Sequence, residues 1–173
     1  MPVTYRIANC FDSDSMLDKL IDLVSVAFPS SERRSIHVYY EEHLYDDDED
    51  YAPEFLLAEL DGSIIGFAEL DITQTCINHG MTDEWIRTNG FVWTIAVLPE
   101  FQAQGVYSEL LKRSELWAAE KEYTVLQIET EEDKAEFFLN HGYRETARIP
   151  YGDINELWFE KEAPRHAYVA NKL

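Results

Sequence analysis

Basic residues are scarce in this sequence, and their scarcity excludes several kinds of partner. Lys and Arg number 14 of 173 residues against 34 Asp and Glu, which gives a formal net charge of −20. Nucleic acids and anionic membrane surfaces are bound through clustered Lys and Arg. We therefore predict no nucleic-acid partner and no membrane partner, whereas the charge is compatible with cationic partners such as amines and basic peptides.

Cysteines and long apolar runs are scarce as well. The two cysteines, Cys10 and Cys76, stand 66 positions apart and form no Cys-x-x-Cys pair, so we predict no metal site. A disulfide between them stays open, although two free thiols are expected in a reducing compartment. No run approaches the roughly 18 apolar residues that span a bilayer, and the N-terminus lacks the apolar core of a signal peptide. These absences predict a cytoplasmic protein.

Apolar residues, by contrast, are abundant enough for one folded domain. Hydrophobic residues make up 46% of the chain and aromatic residues 13%, well above the composition of a disordered acidic segment. Single domains usually contain about 100–200 residues. We predict one domain over residues 1–162, followed by a C-terminal tail over residues 163–173.

The hydrophobic pattern alternates between the strand and helix repeats along the chain. Strands are predicted over residues 3–8, 54–60, 63–71, 91–97, 125–130, 143–149 and 155–159. Helices are predicted over residues 14–28, 30–44, 105–123 and 133–140, with a short one around Trp85. Asp61-Gly62 suits a two-residue hairpin turn with positive φ at both positions, and the five acids at 46–50 predict a solvated loop. This order predicts a mixed α/β (α+β) fold, a single domain whose central twisted mixed sheet is flanked by helices.

The segment from Val97 to Leu111 is the most informative part of the sequence. Pro99 ends a predicted buried strand, and Gly105 stands where the backbone turns into a helix. Backbone N–H groups at a helix N-terminus point outward and carry partial positive charge. The turn therefore predicts a phosphate site built without basic side chains. The alternative is an ordinary strand-to-helix turn whose glycine only starts the helix.

This segment resembles motif A of the GNAT family of acetyl-CoA-dependent N-acetyltransferases. The residues that fit the motif are Val97, Pro99, Gln102 and Gly105. Ala103 stands where glycine is common, and Tyr107 replaces a small residue. No Gly-Lys-Ser/Thr follows, so the segment does not resemble a P-loop.

Residues 132–143 resemble a second motif of the same family. The residues that fit it are Ala135, Phe137, Gly142 and Tyr143. Glu132 replaces the usual Asn, and Phe138 stands where many members have a Tyr. Two motifs in the family's order, separated by a predicted strand, make a chance resemblance a poor explanation.

The resemblance implies the GNAT fold, with acetyl-CoA as co-substrate. In the family the cofactor lies in a splayed gap between the fourth and fifth strands, which correspond here to residues 91–97 and 125–130. The pantetheine amides are then expected to pair with the backbone of Ile95 and Val97. The pyrophosphate is expected to meet backbone N–H groups of Gln102, Ala103, Gln104, Gly105, Val106 and Tyr107.

The resemblance also implies direct attack of an amine on the thioester. An alkyl amine has a pKa of about 10, so a base must remove its proton. Glu69 and Glu129, acidic residues in two predicted strands, are the candidate bases, although each also suits a solvent-facing strand position. In many members a Tyr protonates the departing thiolate. Because Phe138 cannot do so, Tyr143 or Tyr107 is the candidate acid, unless the thiolate leaves without one.

The acceptor is expected on the acidic half of the chain. Residues 1–90 carry a net charge of −14 and residues 91–173 carry −6, and in this family the first helices shape the acceptor pocket. We therefore predict a small, cationic amine or a peptide amino group as substrate, and we leave a homodimer open. The alternative is a non-catalytic GNAT-fold module for CoA binding or regulation, because Phe138, Tyr107 and Glu132 depart from the motifs. A more remote alternative is an acidic mimic of nucleic acid.

Overall fold

A computed structural model describes residues 2–9, 14–27, 54–70, 81–151 and 154–164. The strands within these ranges are β1 (Thr4–Asn9), β2 (Glu54–Leu60), β3 (Ser63–Leu70), β4 (Asn89–Val97), β5 (Val125–Glu131), β6 (Arg144–Tyr151) and β7 (Ile154–Glu162). The helices are α1 (Asp14–Ala27), α2 (Asp83–Thr88), α3 (Val106–Glu120) and α4 (Ala135–Asn140), and short 3-10 turns span Pro99–Gln104 and Glu132–Lys134. Five predicted features lie outside the described residues: the helix at 30–44, the acidic loop at 46–50, Cys10, Cys76 and the tail beyond residue 164.

All of the described strands belong to one sheet, in the order β1-β2-β3-β4-β5-β7-β6. Within it β4 and β5 run parallel, and the other described neighbours run antiparallel. A parallel pair needs a crossover connection, which α3 provides between β4 and β5. The mixed α/β fold predicted from the sequence is confirmed.

The hairpin between β2 and β3 forms at the predicted dipeptide. Leu60 pairs with Ser63, and the two residues between them both have positive φ, 52° at Asp61 and 79° at Gly62. Positive φ at both centres gives the turn a twist that matches the twist of the strands. Asp tolerates this region better than most residues and Gly adopts it without steric cost, so the hairpin is encoded locally.

Helices cover both faces of the sheet. On the α3 face, strand residues such as Leu56, Ala68, Val92, Ile128, Leu157 and Phe159 pack with Leu110, Leu111 and Trp117 of α3. On the α1 face, strand residues Phe55, Leu57, Phe67 and Ala96 pack with Leu20, Leu23 and Val24 of α1. Burying one such leucine stabilises the fold by roughly 1.5–3 kcal/mol. None of the helices in the described ranges is long and apolar enough to cross a membrane.

The sheet opens between β4 and β5. Their parallel pairing begins at Asn89 with Val125 and ends at Val92 with Ile128, although both strands continue beyond these residues. Among the described strands, the remaining part of β4 pairs with β3 alone. The gap expected between the fourth and fifth strands is therefore present.

An irregularity on the other side of β4 explains why the two strands separate. In the pairing of β3 with β4, Glu69 faces Thr94 while the next residue, Leu70, faces Val92. Trp93 is therefore an extra residue on β4. Such a bulge bends its strand and increases the local twist, so β4 turns away from β5 at the point where their pairing ends.

Candidate active site

A cavity of about 430 Å³ lies between the end of β4, the start of α3 and the turn that follows β5. The lining residues are Ala27, Ile95, Ala96, Val97, Gln102, Tyr107, Ser108, Asp133, Lys134 and Phe137. Four residues of the expected cofactor set, Ile95, Val97, Gln102 and Tyr107, are among them. The cavity thus lies where the sheet opens and next to the N-terminus of α3.

The turn into α3 presents backbone donors without a side-chain cap. A 3-10 turn over Pro99–Gln104 leads to Gly105, which has φ of 78° in the left-handed region, and α3 begins at the next residue, Val106. Gly105, at the N-cap position, contributes no side-chain hydrogen bond to the helix. The first N–H groups of a helix have no acceptor within it, and the helix dipole adds partial positive charge at this end. The turn therefore offers an anion several N–H donors.

The two glutamines of the turn bond to the chain itself. Gln102 donates its side-chain amide to the backbone oxygen of Val97 at 3.1 Å, and Gln104 donates to that of Glu100 at 2.9 Å. These bonds fold the turn back onto the end of β4. Both side chains therefore help to hold the turn in place.

Tyr107 stands on the cavity wall as a neutral aromatic residue. Its ring packs edge-on against Phe137, with the ring centroids 5.1 Å apart. Burial, followed by the charge of Asp133, raises the pKa of Tyr107 well above its usual value. The hydroxyl is consequently protonated at neutral and moderately alkaline pH. It is available as a hydrogen-bond donor at a position where the family motif has a small residue.

The structure places both candidate bases on the α1 face. On β3, Ala68 and Leu70 belong to the α3-face core, so Glu69 between them points to the opposite face. On β5, Ile128 belongs to the same core, and its neighbour Glu129 also points to the α1 face. Glu69 is buried, only 1% exposed, and Glu129 is half-buried. The two carboxylates therefore lie on the strands that flank β4, on one face of the sheet.

Tyr143 is not brought together with these carboxylates. It belongs to the core on the α3 face, and its hydroxyl donates to Glu115 at 3.2 Å. The ammonium group of Lys161 lies 5.3 Å from the centre of its ring and also donates to Glu115 at 2.8 Å. Burial, followed by the charge and hydrogen bond of Glu115, raises the pKa of Tyr143 well above its usual value.

The buried Tyr143 hydroxyl predicts a loss of stability at high pH. A tyrosine in the unfolded chain ionises at about pH 10, whereas the raised pKa keeps Tyr143 protonated in the folded protein. The unfolded state then binds fewer protons, so this contribution is present below pH 10 and is lost as the pH rises above it. Thermal unfolding from about pH 8 to about pH 11 should show a smaller decline in Tyr143→Phe than in the wild type. Equal declines would contradict the prediction.

The second motif contributes wall residues that the sequence did not assign to the site. Phe138, at the usual tyrosine position, is completely buried, with the rings of Tyr143 and Phe159 each 5.5 Å away. Its neighbour Phe137 lines the cavity instead, together with Asp133. The second motif could have pointed to these residues as part of the site. Sequence spacing alone, however, does not say which of two adjacent phenylalanines faces the cavity.

Glu132, which replaces the usual Asn, binds the neighbouring hairpin. One of its carboxylate oxygens pairs with Arg148 of β6, and the other accepts a hydrogen bond from Asn155 of β7 at 3.2 Å. These two hydrogen bonds, together with the charge of Arg148, lower the pKa of Glu132. The residue therefore ties the turn after β5, whose next residues line the cavity, to β6 and β7.

Sequence comparison agrees with the two motifs. The profile of the "Acetyltransferase (GNAT) family" matches residues 17–143, about three quarters of the chain. Among curated protein sequences, none matches the chain.

Solved structures share the fold over nearly the whole chain. An aminoglycoside 6'-N-acetyltransferase complexed with coenzyme A is 16% identical, with a TM-score of 0.66 over 92% of this chain and 98% of that one. The protein yncA from Salmonella typhimurium, solved with its cofactor acetyl-CoA, is 17% identical, with a TM-score of 0.62 over 96% of each chain. The ribosomal-protein-S18-alanine N-acetyltransferase from Escherichia coli is 15% identical, with a TM-score of 0.64 over 92% of this chain and 94% of that one.

Proposed function

Because the chain belongs to the acetyltransferase (GNAT) family, we propose that it transfers an acetyl group from acetyl-CoA to a primary amine. The observation that supports this most directly is the cavity where β4 leaves β5, bordered by the uncapped N-terminus of α3. The acceptor we propose is a small, cationic amine or a peptide amino group. Two structural neighbours have acceptors of these kinds in their names, an aminoglycoside and an alanine of a ribosomal protein.

The groups around the cavity suit the parts of acetyl-CoA. A diphosphate needs N–H donors, which the first turn of α3 supplies. A Cβ on Gly105 would meet no atom of the described residues within 4 Å, so these leave space open in front of the donors. Pantetheine amides need backbone partners, and Ile95 and Val97 lie on the part of β4 that is not paired with β5. When bound, acetyl-CoA supplies an activated acetyl thioester. We propose that these groups hold it, with Lys134 as a cation on the cavity wall.

The chain's own task in the transfer is to handle a proton. The amine nitrogen bonds to the acetyl carbon, the C–S bond breaks, and the sulfur leaves with the electron pair. At neutral pH most of an alkyl amine is protonated. Only its unprotonated form has a lone pair for the attack. We propose that Glu69 accepts the proton, directly or through a water molecule, and that Glu129 is the second candidate. Both carboxylates lie on the α1 face, so we propose that the amine approaches from that side.

The sulfur needs no dedicated acid in this proposal. A thiol has a pKa of about 8.5, so its thiolate is a moderate base and leaves readily near neutral pH. Tyr143, the candidate acid from the family motif, has its hydroxyl on Glu115 and lies on the other face of the sheet. Tyr107 is near the start of α3, where its protonated hydroxyl can donate to the cofactor.

Acetyl-CoA binding is the first test of this function. At about 100 times its Kd, a ligand raises the free energy of unfolding by about 2.7 kcal/mol, which for a protein of this size raises the unfolding temperature by about 5–10 °C. Thermal unfolding with and without acetyl-CoA should show this shift. Coenzyme A serves as the control for binding without transfer. If neither compound shifts the transition, the cofactor assignment fails.

Turnover is the second test. A panel of mono- and diamines, aminoglycosides and basic peptides is mixed with protein and acetyl-CoA, and release of free thiol is followed with a thiol-reactive dye. We expect release above the rate of spontaneous hydrolysis with at least one cationic amine. Binding of acetyl-CoA without any transfer would favour the alternative, a non-catalytic CoA-binding or regulatory module. Phe138, which brings an apolar ring to the usual tyrosine position, is the observation that favours that alternative.

A further inference from the structure

Three of the four tryptophans of the chain gather around one phenylalanine. Phe91 is buried, 2% exposed, and the ring centroids of Trp93 and Trp158 lie 5.4 Å and 5.3 Å from its own. Trp85 follows at 6.5 Å. The three indoles are half-buried, so each keeps part of its surface exposed. We call these four residues the tryptophan cluster.

The tryptophan cluster lies on the α1 face. A Cβ on Gly90 would meet Trp117 of α3 at 3.0 Å, so Gly90 faces α3. Phe91, its neighbour on the strand, therefore points to the opposite face. On β7, Leu157 and Phe159 belong to the α3-face core, and Trp158 between them also points away from it. The cluster thus shares its face with both candidate bases.

The cluster also borders the gap in the sheet. Trp93 is the bulged residue of β4, just beyond the last residue that pairs with β5. Trp158 is directly opposite Glu129 in the pairing of β5 with β7. Strands are spaced about 4.8 Å apart, so the distance from the gap to β7 is roughly 5–10 Å. Trp93 therefore lies at the edge of the gap, and Trp158 lies within the length of a short alkyl chain from the gap.

The chemistry of this surface suits a cation that stays charged. Indole has the strongest cation–π face among the side chains, and Glu129 adds a carboxylate next to Trp158. Gln127 and Glu160, which share the face, are hydrogen-bonded to each other, and Arg144 of β6 is paired with Glu160. Within the described residues, the buried N–H of Trp158 has no hydrogen-bond partner. Phenylalanine would fill that position without an unsatisfied donor, so packing alone does not account for an indole here.

The reacting amine is not the group that such a surface would favour. Aromatic faces and carboxylates stabilise the protonated form of an amine, whereas attack on the thioester needs the neutral form. We propose that the tryptophan cluster binds a second, non-reacting ammonium group of the acceptor, which makes a linear diamine the preferred acceptor class. This inference rests on the proposed acetyl transfer and adds to it the part of the acceptor that lies beyond the reacting nitrogen.

The preference for a second charge can be measured with a matched pair of acceptors. We expect kcat/KM for 1,5-diaminopentane to exceed that for 1-aminopentane by roughly tenfold, the range that a cation on an indole face contributes. Trp158→Phe keeps an aromatic face and should retain part of this ratio, whereas Trp158→Leu should reduce it to about twofold or less. A ratio that is unchanged in a folded Trp158→Leu protein, or a wild-type ratio near one, would overturn the proposal.

Tryptophan fluorescence provides a readout that does not depend on turnover. The remaining tryptophan, Trp117, lies on α3 and donates its N–H to Glu54 at 2.7 Å. In Trp117→Phe the emission comes from the cluster alone. We expect 1,5-diaminopentane to change it saturably without acetyl-CoA, and 1-aminopentane to need about tenfold higher concentration. Equal fluorescence changes with both amines would count against the cluster. So would the absence of any change in a protein that acetyl-CoA still stabilises against thermal unfolding. If acetyl-CoA does not stabilise the protein, the proposed function itself fails.

Discussion

Replacing Gly105 with leucine is expected to weaken acetyl-CoA binding by at least about tenfold, a loss of about 1.4 kcal/mol. The backbone has φ of 78° at this residue, and a Cβ there would meet no atom within 4 Å in the part of the chain that the structure describes. The first side-chain atom therefore has room, and the cost to the fold comes from the positive φ. The leucine side chain would enter the space in front of the N–H groups of α3, which we assign to the diphosphate of the cofactor. Titration calorimetry with acetyl-CoA measures the loss.

Gly62 offers a closely matched control for this substitution. It has φ of 79° and, like Gly105, no atom within 4 Å of an added Cβ, but it lies in the hairpin between β2 and β3. Either leucine should reduce stability by a similar amount, about 1–2 kcal/mol for a left-handed residue that is not glycine. Only the leucine at Gly105 should reduce the affinity for acetyl-CoA. Equal affinities in the two variants would remove the turn before α3 from the cofactor site.

Both glycine turns could be predicted because their signals are local. Asp61-Gly62 stands between two alternating runs, and the hairpin there needs positive φ at both positions. Gly105 follows Pro99 and precedes a stripe of apolar residues with helical spacing, which marks the boundary of a helix. Periodicity likewise predicted the described strands and the helices α1, α3 and α4 within a few residues at each end. These features depend on nearest neighbours in the chain, so a single sequence contains them.

The faces of the candidate residues could not be predicted, because they depend on register between distant strands. Glu69 and Glu129 are 60 positions apart, and the sequence does not say that both strands turn them to the α1 face. Tyr143 comes from the same motif as the cavity wall, yet it points into the α3-face core. A one-residue shift in a strand moves every side chain to the other face. The bulge at Trp93 is such a shift, and its signal in the sequence is weak.

The tryptophan cluster was missed for the same reason. Phe91 and Trp93 belong to a run whose composition predicts only a buried strand, and Trp158 lies 65 positions beyond Trp93. Parallel pairing of β4 with β5 and antiparallel pairing of β5 with β7 bring them together. The acidic composition suggested a cationic acceptor only in general terms. Because the indoles and the carboxylates share one face, we propose that the acceptor binds there and that the indoles hold its second ammonium group.

Replacing Glu69 with glutamine is expected to lower kcat by about 100-fold or more, the usual contribution of a general base. Glutamine keeps the size of the side chain but cannot accept a proton from the amine. Glu69 is 1% exposed, and electrostatic interactions are stronger away from water. We therefore expect a larger effect from Glu69→Gln than from Glu129→Gln, whose carboxylate is half-buried. The affinity for acetyl-CoA should stay the same in both variants.

The pH dependence separates loss of a base from general damage. Without Glu69, the reaction depends on amine that has already lost its proton in solution, a fraction that rises tenfold per pH unit up to about pH 10. The deficit of Glu69→Gln should therefore shrink as the pH is raised from about 7 to about 9.5, whereas a damaged site would stay impaired. Glu59→Gln is the control, since Glu59 lies on the adjacent strand β2 and pairs with Arg6 at 3.0 Å. If folded Glu69→Gln has a kcat within about twofold of the wild type at pH 7, Glu69 is not the base. If Glu129→Gln instead shows a deficit that shrinks with rising pH, Glu129 is the base.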